Sequence, residues 1–349
     1  MGYYAKVISD SISPAGVRVS TLEARFPRFI LAEMNTHRVF SRNSASSRAI
    51  PPEQNITNVT QEPFIPETFG KRVKGMGVGE DIEDQEAAKR AWTWMLDKVV
   101  QGSNMLIDLD CDKSRINRVL EPWMWHTAII TSTEWENFFG LRAPDGDTWQ
   151  RGFPAQPEMQ IIAIAMREAL WGSEPEQLQE DWWHLPYAKE DELEELCMLR
   201  KRVEEYPDTM SFAEDLEQHL EWMQDACSRR LARVSFDKHT DSEPFNVSIT
   251  KAGELKVNGH FSPFEHVCRP LVTSDLPGYG DHIMLSADNM MAAAAESMKA
   301  RKKNVDIWQY VDMSKCWSGN LRGFLQYRKT IPHESNHMEV RNGKAALQG

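Results

Sequence analysis

The chain has 349 residues, 40 basic against 52 acidic side chains, a net charge of −12 and 41% apolar residues. That balance argues against a protein that coats DNA or RNA, which needs a basic face, but leaves room for a small anionic ligand held by a few local arginines. Mean hydropathy is −0.53, no apolar run reaches the roughly 18 residues of a membrane span, and Cys111, Cys197, Cys227, Cys268 and Cys316 lie scattered with no CxxC pair, as reduced thiols do.

In chain order, Met1 to Lys6 carries no apolar signal core, so a cytoplasmic protein is expected. Residues 3–9 and 16–32 read as strands: Val17-Arg18-Val19-Ser20 alternates, and Phe29-Ile30-Leu31-Ala32 is a short apolar run. Residues 35–50, dense in Ser, Asn and Arg, read as a loop. Residues 51–83 hold several prolines and glycines without sustained periodicity and read as an extended loop excursion, a candidate lid. From Asp84 to Val100 apolar residues recur at helical spacing. Thr133-x-x-Glu136 reads as a capping box opening a helix through Leu141. Pro157 suits a first helical position, with the helix running to 171. Residues 189–206 and 211–234 predict two charged antiparallel helices, which makes 172–236 a helical-hairpin insertion. Strands are expected again at 244–250 and 254–257, a helix at 286–302, and a frayed last dozen residues. Sheet segments at both ends with helices between predict an α+β fold, a mixed or antiparallel sheet flanked by helices, within one domain over 1–349.

Four polar segments could carry chemistry. Thr36 to Arg48 holds three arginines, a histidine and several hydroxyls at a strand exit, which suits phosphate binding, since Arg offers a planar fork and Ser a short hydrogen bond. A solvated basic loop is the alternative, because no Gly-rich cradle accompanies it. Asn117 to Pro122 and Asn137 to Arg142 each carry an arginine that alone reads as a surface or ion-pair group. Ala155 to Gln160 places Glu158 in a first helical turn, where a dipole partner is the plain reading. His260 to His266 holds two histidines and Glu265, which could ligate a metal. No further His or Cys cluster completes such a site, and no metal is expected.

Together these segments resemble the flavin-dependent thymidylate synthases. The family's signature of an Arg-His-Arg triplet followed by Ser, Asn, Glu, Ser and Arg is matched by His37, Arg38, Ser41, Asn43, Ser46 and Arg48. Its His-x-Ser-Pro-Phe-Glu-His-like motif is matched by residues 260–266. Arg118 to Pro122, Asn137 to Arg142 and Ala155 to Glu158 are similar to three further family segments. Thr36 replaces the first arginine of the triplet, Ser44 stands at the signature glutamate, and Glu33 stands where a glutamine touches the nucleotide. Residues 260–266 follow the arginine motifs instead of preceding the triplet. This permuted order resembles a phage-type branch with a tail like Asn320 to Lys329.

The resemblance implies transfer of a one-carbon unit from 5,10-methylenetetrahydrofolate to C5 of dUMP, giving dTMP, with hydride from FAD and NADPH as reductant. It also implies a homotetramer with sites between subunits, acting in the cytoplasm, or in the host cytoplasm for a phage-encoded member. Arg142 takes the catalytic position, stabilising charge at N3 and O4 of the pyrimidine. Glu33, Ser44, Ser46, Arg48, Arg118, Leu141 and Arg142 take substrate positions; His37, Arg38, Asn137 and His260 take flavin positions. No cysteine lies within these motifs, in keeping with a family that uses no cysteine nucleophile. Glu33 could accept from the 4-amino group of cytosine, so a dUMP or dCMP 5-hydroxymethylase or methylase stays open. A non-catalytic nucleotide- or flavin-binding homologue and a metallohydrolase built on His260, Glu265 and His266 also remain.

Overall fold

Alternating apolar residues near the start of the chain produce a hairpin. In the computed structural model, which describes residues 2–74, 78–236, 243–276, 282–299, 307–332 and 334, β1 (Tyr4–Ile12) pairs antiparallel with β2 (Arg18–Pro27), Val7 opposite Leu22. Gly16 makes the turn at φ +78°, in the left-handed region that glycine enters without a Cβ penalty. Pro27 closes β2 opposite Trp125, the first residue of its partner strand, so the ladder ends there. The expected strand over Phe29–Ala32 is therefore absent: residues 28–30 form a 3-10 turn leading into α1 (Leu31–Met34).

The 35–50 segment is not wholly loop. β3 (Ser41–Ser44) is an edge strand, formed because its partner accepts it rather than from local propensity. The 51–83 excursion is likewise corrected at its start, where Pro52 sits in the first turn of α2 (Pro52–Gln61) and Val59 packs among Leu96, Leu120 and Trp123. Beyond it the chain is irregular apart from a bridge between Gly70 and Asp81. α3 (Gln85–Asp108) is capped by Asp84, which accepts from Ala87 N at 2.7 Å, and α4 (Lys113–Leu120) by Asp112.

β4 (Trp125–Ser132) fills the gap between β2 and β3, and β5 (Glu176–Gln177) adds in parallel to β1. The mixed sheet has the order β3-β4-β2-β1-β5. α5 (Glu136–Arg142) follows β4 without the expected capping box; Thr133 Oγ1 instead accepts from Arg322 N at 3.0 Å. α6 (Pro157–Trp171) covers one face of the sheet, packing Met159, Ile162 and Met166 on Leu22, Phe26 and Ile130.

Ile129, one residue from Ile130, points to the opposite face, as the two-residue strand period requires. There it meets α8 (Met210–Ala232), which is joined to α7 (Glu190–Glu205) by a short turn. Contacts of Glu192 with Arg230 and of Arg202 with Phe212 show the two helices to be antiparallel, as expected. α8 is central rather than a surface hairpin: Met223, Cys227 and Leu231 share a core with Phe264 and Val267. The strands expected at 244–250 and 254–257 are instead one helix, α9 (Phe245–Val257). Buried Ser248 and Ala252, four residues apart, let it lie close on α8, and that packing overrides the β-branched residues' preference.

β6 (Cys268–Pro270) pairs with β10 (Phe324–Gln326). β7 (Ile283–Met284), β8 (Trp317–Ser318) and β9 (Leu321–Arg322) form a small antiparallel sheet beside α10 (Ala287–Lys299). The end of the helix expected to 302 and the last dozen residues fall outside the described residues. Among the described residues no helix is long and apolar enough to cross a membrane.

Candidate functional site

The site is built at the two ends of β4. At its C-terminal end, α5 lays Phe138 edge-on against His37, ring centroids 4.8 Å apart, and against Phe40 at 5.1 Å. This aromatic block buries His37 to 7% exposure. Arg142, the last residue of α5, donates Nε–H to His37 Nε2 at 3.3 Å. Because Nε2 accepts, the ring hydrogen of the neutral imidazole sits on Nδ1. Burial, then the charges of Arg142 and Arg42, hold His37 below the ordinary histidine range.

Glu33 in α1 joins this group. Burial raises its carboxyl above the usual range, and the charge of Arg142 opposes the rise. The backbone around it is fixed by Thr36 Oγ1 donating to Glu33 O at 2.7 Å and by Arg42 Nη1 donating to Met34 O at 3.0 Å. Arg38, Asn137 and Leu141 stand exposed at the same corner.

The His260–His266 segment reaches this corner through space. Its 3-10 turn Ser262–Glu265 packs on β3, and Gln326 Nε2 donates to both Ser41 Oγ and Glu265 O, each at 3.1 Å. His260 is exposed, with its backbone N donating to Leu255 O. His266 is fully buried and pushed down to about 3 by burial. Its Nδ1 lies 2.8 Å from Thr131 Oγ1, which continues through Thr21 Oγ1 to His184 Nε2. One histidine of the motif is thus on the surface and the other in the core, so the metallohydrolase arrangement does not form. Among the described residues no three His, Cys, Asp or Glu side chains come together as a metal site.

At the N-terminal end of β4, buried Asn117 of α4 donates its amide to Ser47 O at 2.5 Å and Ile50 O at 2.8 Å, pinning the 45–50 loop to the helix. Ser46 N donates to Ser235 O at 3.0 Å. Arg48 and Arg118, each next in sequence to a residue of that contact, are exposed and have no ion pair among the described residues. Ser44 and Ser46 are partly buried beside them.

The structure therefore assembles two groups, Glu33–His37–Arg142 and Ser46–Arg48–Arg118, at opposite ends of the eight-residue β4. Arg118 lies in α4 and Arg142 at the end of α5, on elements that precede and follow β4. Residues given no role from the sequence are Arg42, which ties α1 to β3; Asn117, which holds the basic loop; and Gln326, which joins two motifs. Each lies inside a segment that the sequence singles out, Thr36–Arg48, Asn117–Pro122 and Asn320–Lys329.

Four residues stand where the resemblance implies flavin contacts. Arg38, Asn137 and His260 are exposed donors with no side-chain partner among the described residues. His37 presents Nδ1–H, its Nε2 being occupied. A set of uncommitted donors of this kind fits a ring edge and a pyrophosphate, both rich in acceptors.

Compared with known proteins, the chain matches no family model and no curated protein. Among solved structures it is similar to the UMP/dUMP methylase PolB from Streptomyces cacaoi bound with 5-Br dUMP, at 16% identity and a TM-score of 0.37 over 48% of this chain and 89% of that one. The same protein bound with 5-Br UMP gives 17% identity and a TM-score of 0.37 over 48% of this chain and 88% of that one.

Proposed function

We propose that the protein is a flavin-dependent transferase that adds a one-carbon unit from 5,10-methylenetetrahydrofolate to C5 of a deoxypyrimidine monophosphate, principally dUMP, with sites shared between chains of a homotetramer. The observation that carries this reading is the meeting of Glu33, His37 and Arg142 at one end of β4, while Arg48 and Arg118 at the other have no ion pair among the described residues.

Each group has a task. Arg48 and Arg118 take the phosphate as guanidinium forks, with the Ser46 hydroxyl beside them. Arg142 faces N3 and O4 of the ring and stabilises the charge that develops when the N3 proton leaves, which makes C5 a better nucleophile. A fixed donor of this kind is worth about 3–4 kcal/mol in the barrier. The two groups stand toward different ends of β4, and in this reading the phosphate end of one chain serves the base end of another. Arg38, Asn137, His260 and His37 Nδ1–H would hold FAD. Bound FAD would supply the hydride that completes the methyl group, with NADPH as its reductant.

A second reading has its own observation. Glu33 places a partly buried carboxyl next to Arg142. A carboxylate there accepts from the 4-amino group of cytosine and repels O4 of uracil. dCMP and a 5-hydroxymethyl product belong to this reading. Mass analysis after incubating dUMP or dCMP with protein, FAD, NADPH and methylenetetrahydrofolate tests both. A 5-methyl product from dUMP supports the first, and modification of dCMP or a hydroxymethyl product supports the second. A protein that binds no FAD and alters neither nucleotide overturns both.

A further inference from the structure

The segment 317–330 contacts β3, the corner between β4 and α5, α8 and the 260–266 turn. β10 pairs with β6, directly after the His260–His266 segment, with Gln326 opposite Cys268. Arg328 contacts the Glu265 carboxylate. Arg322 donates its backbone N to Thr133 Oγ1 at 3.0 Å and its side chain to Glu134, at the corner between β4 and α5. Tyr327 donates to Asp225 of α8 at 2.8 Å, and Lys256 of α9 closes that triangle at 2.7 Å from Asp225. Residues 260–266 and 37–44 are more than 200 residues apart in sequence, and besides the direct packing of the 262–265 turn on β3 this segment bridges them by contact.

Gln326 is the centre of that arrangement. It is 1% exposed, and its one amide nitrogen bonds Ser41 Oγ on one side and Glu265 O on the other. Space for the amide is made by Gly319. A Cβ built there would stand 1.9 Å from Gln326 Oε1, and φ at 319 is +58°. Both features belong to a side chain whose position is closely specified.

We propose that Gln326 is a positioning residue: its buried amide sets the separation between the strand entered from His37 and Arg38 and the segment opened by His260, so that both sets of donors face one bound flavin. This rests on the flavin reading above. Gln326 touches no reacting atom and acts through Ser41 and Glu265.

The test is Gln326→Met, which keeps length and apolar volume but removes the amide, with Ser41→Ala as a milder partner that deletes a single bond. FAD affinity is measured by fluorescence titration well below the melting temperature, alongside kcat and KM for the nucleotide. Gln326→Met is expected to weaken FAD binding and lower kcat by about tenfold or more, since small misplacements of such groups are costly. Nucleotide KM, set at Arg48 and Arg118, should move little. Ser41→Ala should shift both quantities in the same direction, and the double variant should be no worse than Gln326→Met alone, the mark of a shared contact. FAD affinity and kcat within twofold of the parent in either folded variant would overturn the proposal. So would a loss that merely follows the unfolded fraction. If Gln326→Met does not fold, Ser41→Ala decides. A parent that binds no FAD removes the functional reading and this inference with it, whereas a parent and a Gln326→Met protein that bind FAD equally remove the inference alone.

Discussion

Arg142 donates to His37 across 3.3 Å, although the two lie 105 residues apart and the chain between them runs down β3, away through three helices and back along β4. The bond holds a cation against a neutral imidazole and keeps the guanidinium plane in place at the end of α5. Arg142→Gln removes the charge and leaves the aromatic packing of Phe138 and Phe40 untouched. Turnover, followed by tritium release from 5-tritiated dUMP, should fall about 10²–10³-fold, the loss typical of one preorganised donor. The melting temperature and FAD affinity should stay near the parent values. A variant with parental turnover would remove Arg142 from the chemistry.

The separation along β4 makes a prediction about mixtures. Arg118→Ala and Arg142→Ala proteins should each be inactive alone. Co-expressed, they should regain turnover, because a site drawing Arg118 from one chain and Arg142 from another is whole in some pairs. Size-exclusion chromatography of the mixture should show the same assembly as the parent. A mixture as inactive as its components, in the same assembly, would place both arginines in one chain's site.

Arg230 and Glu192 form the most deeply buried ion pair, with side chains 1% and 7% exposed. Arg230 Nη1 also donates to Tyr187 O at 2.7 Å, and Glu192 accepts from Lys189 N at 3.0 Å. Arg230→Met strands a buried carboxylate and should cost about 3–5 kcal/mol in urea unfolding. Replacing both members, as Arg230→Met with Glu192→Leu, should cost clearly less than the single change. Equal losses would show that the pair is not energetically coupled.

Three buried histidines predict the acid response. His126, His184 and His266 are held at about 3 by burial, whereas an unfolded imidazole titrates near 6.5. Between those values the unfolded chain binds protons that the folded chain refuses. Stability is therefore full above pH 6.5 and falls as pH drops toward 3, by up to about 1.4 kcal/mol per pH unit for each histidine. Glu158, raised by burial, gains a proton in the folded state and opposes part of this near its own range. Comparing unfolding free energies between pH 5 and 7 for the parent and His126→Asn isolates one group. The variant should show the shallower slope, by up to about one proton. Parallel slopes would mean that His126 does not titrate on unfolding.

Local pattern was enough for β1, β2, α3 and α6, because an amphipathic segment carries its period in its own residues. The helix pair α7 and α8 was legible for the same reason. The candidate residues were also legible, since His37, Arg38, Arg48, Arg118, Asn137 and Arg142 stand in short motifs. β3 and α9 were not. Ser41–Ser44 becomes a strand only because Ile129 to Thr131 offer it a ladder, and Phe245–Val257 becomes a helix because α8 receives Ser248 and Ala252.

By itself, then, the sequence determined which elements carry their own periodicity and which side chains can take a phosphate, a ring edge or a proton. Only the tertiary structure decided which of them meet: Glu33 and His37 with Arg142, the 47–50 loop with Asn117, and residues 260–266 with β3 through Gln326. The reason is physical. Spacing along a chain sets local hydrogen bonding and burial, whereas proximity between distant segments comes from sheet register and side-chain packing, which no window of sequence contains.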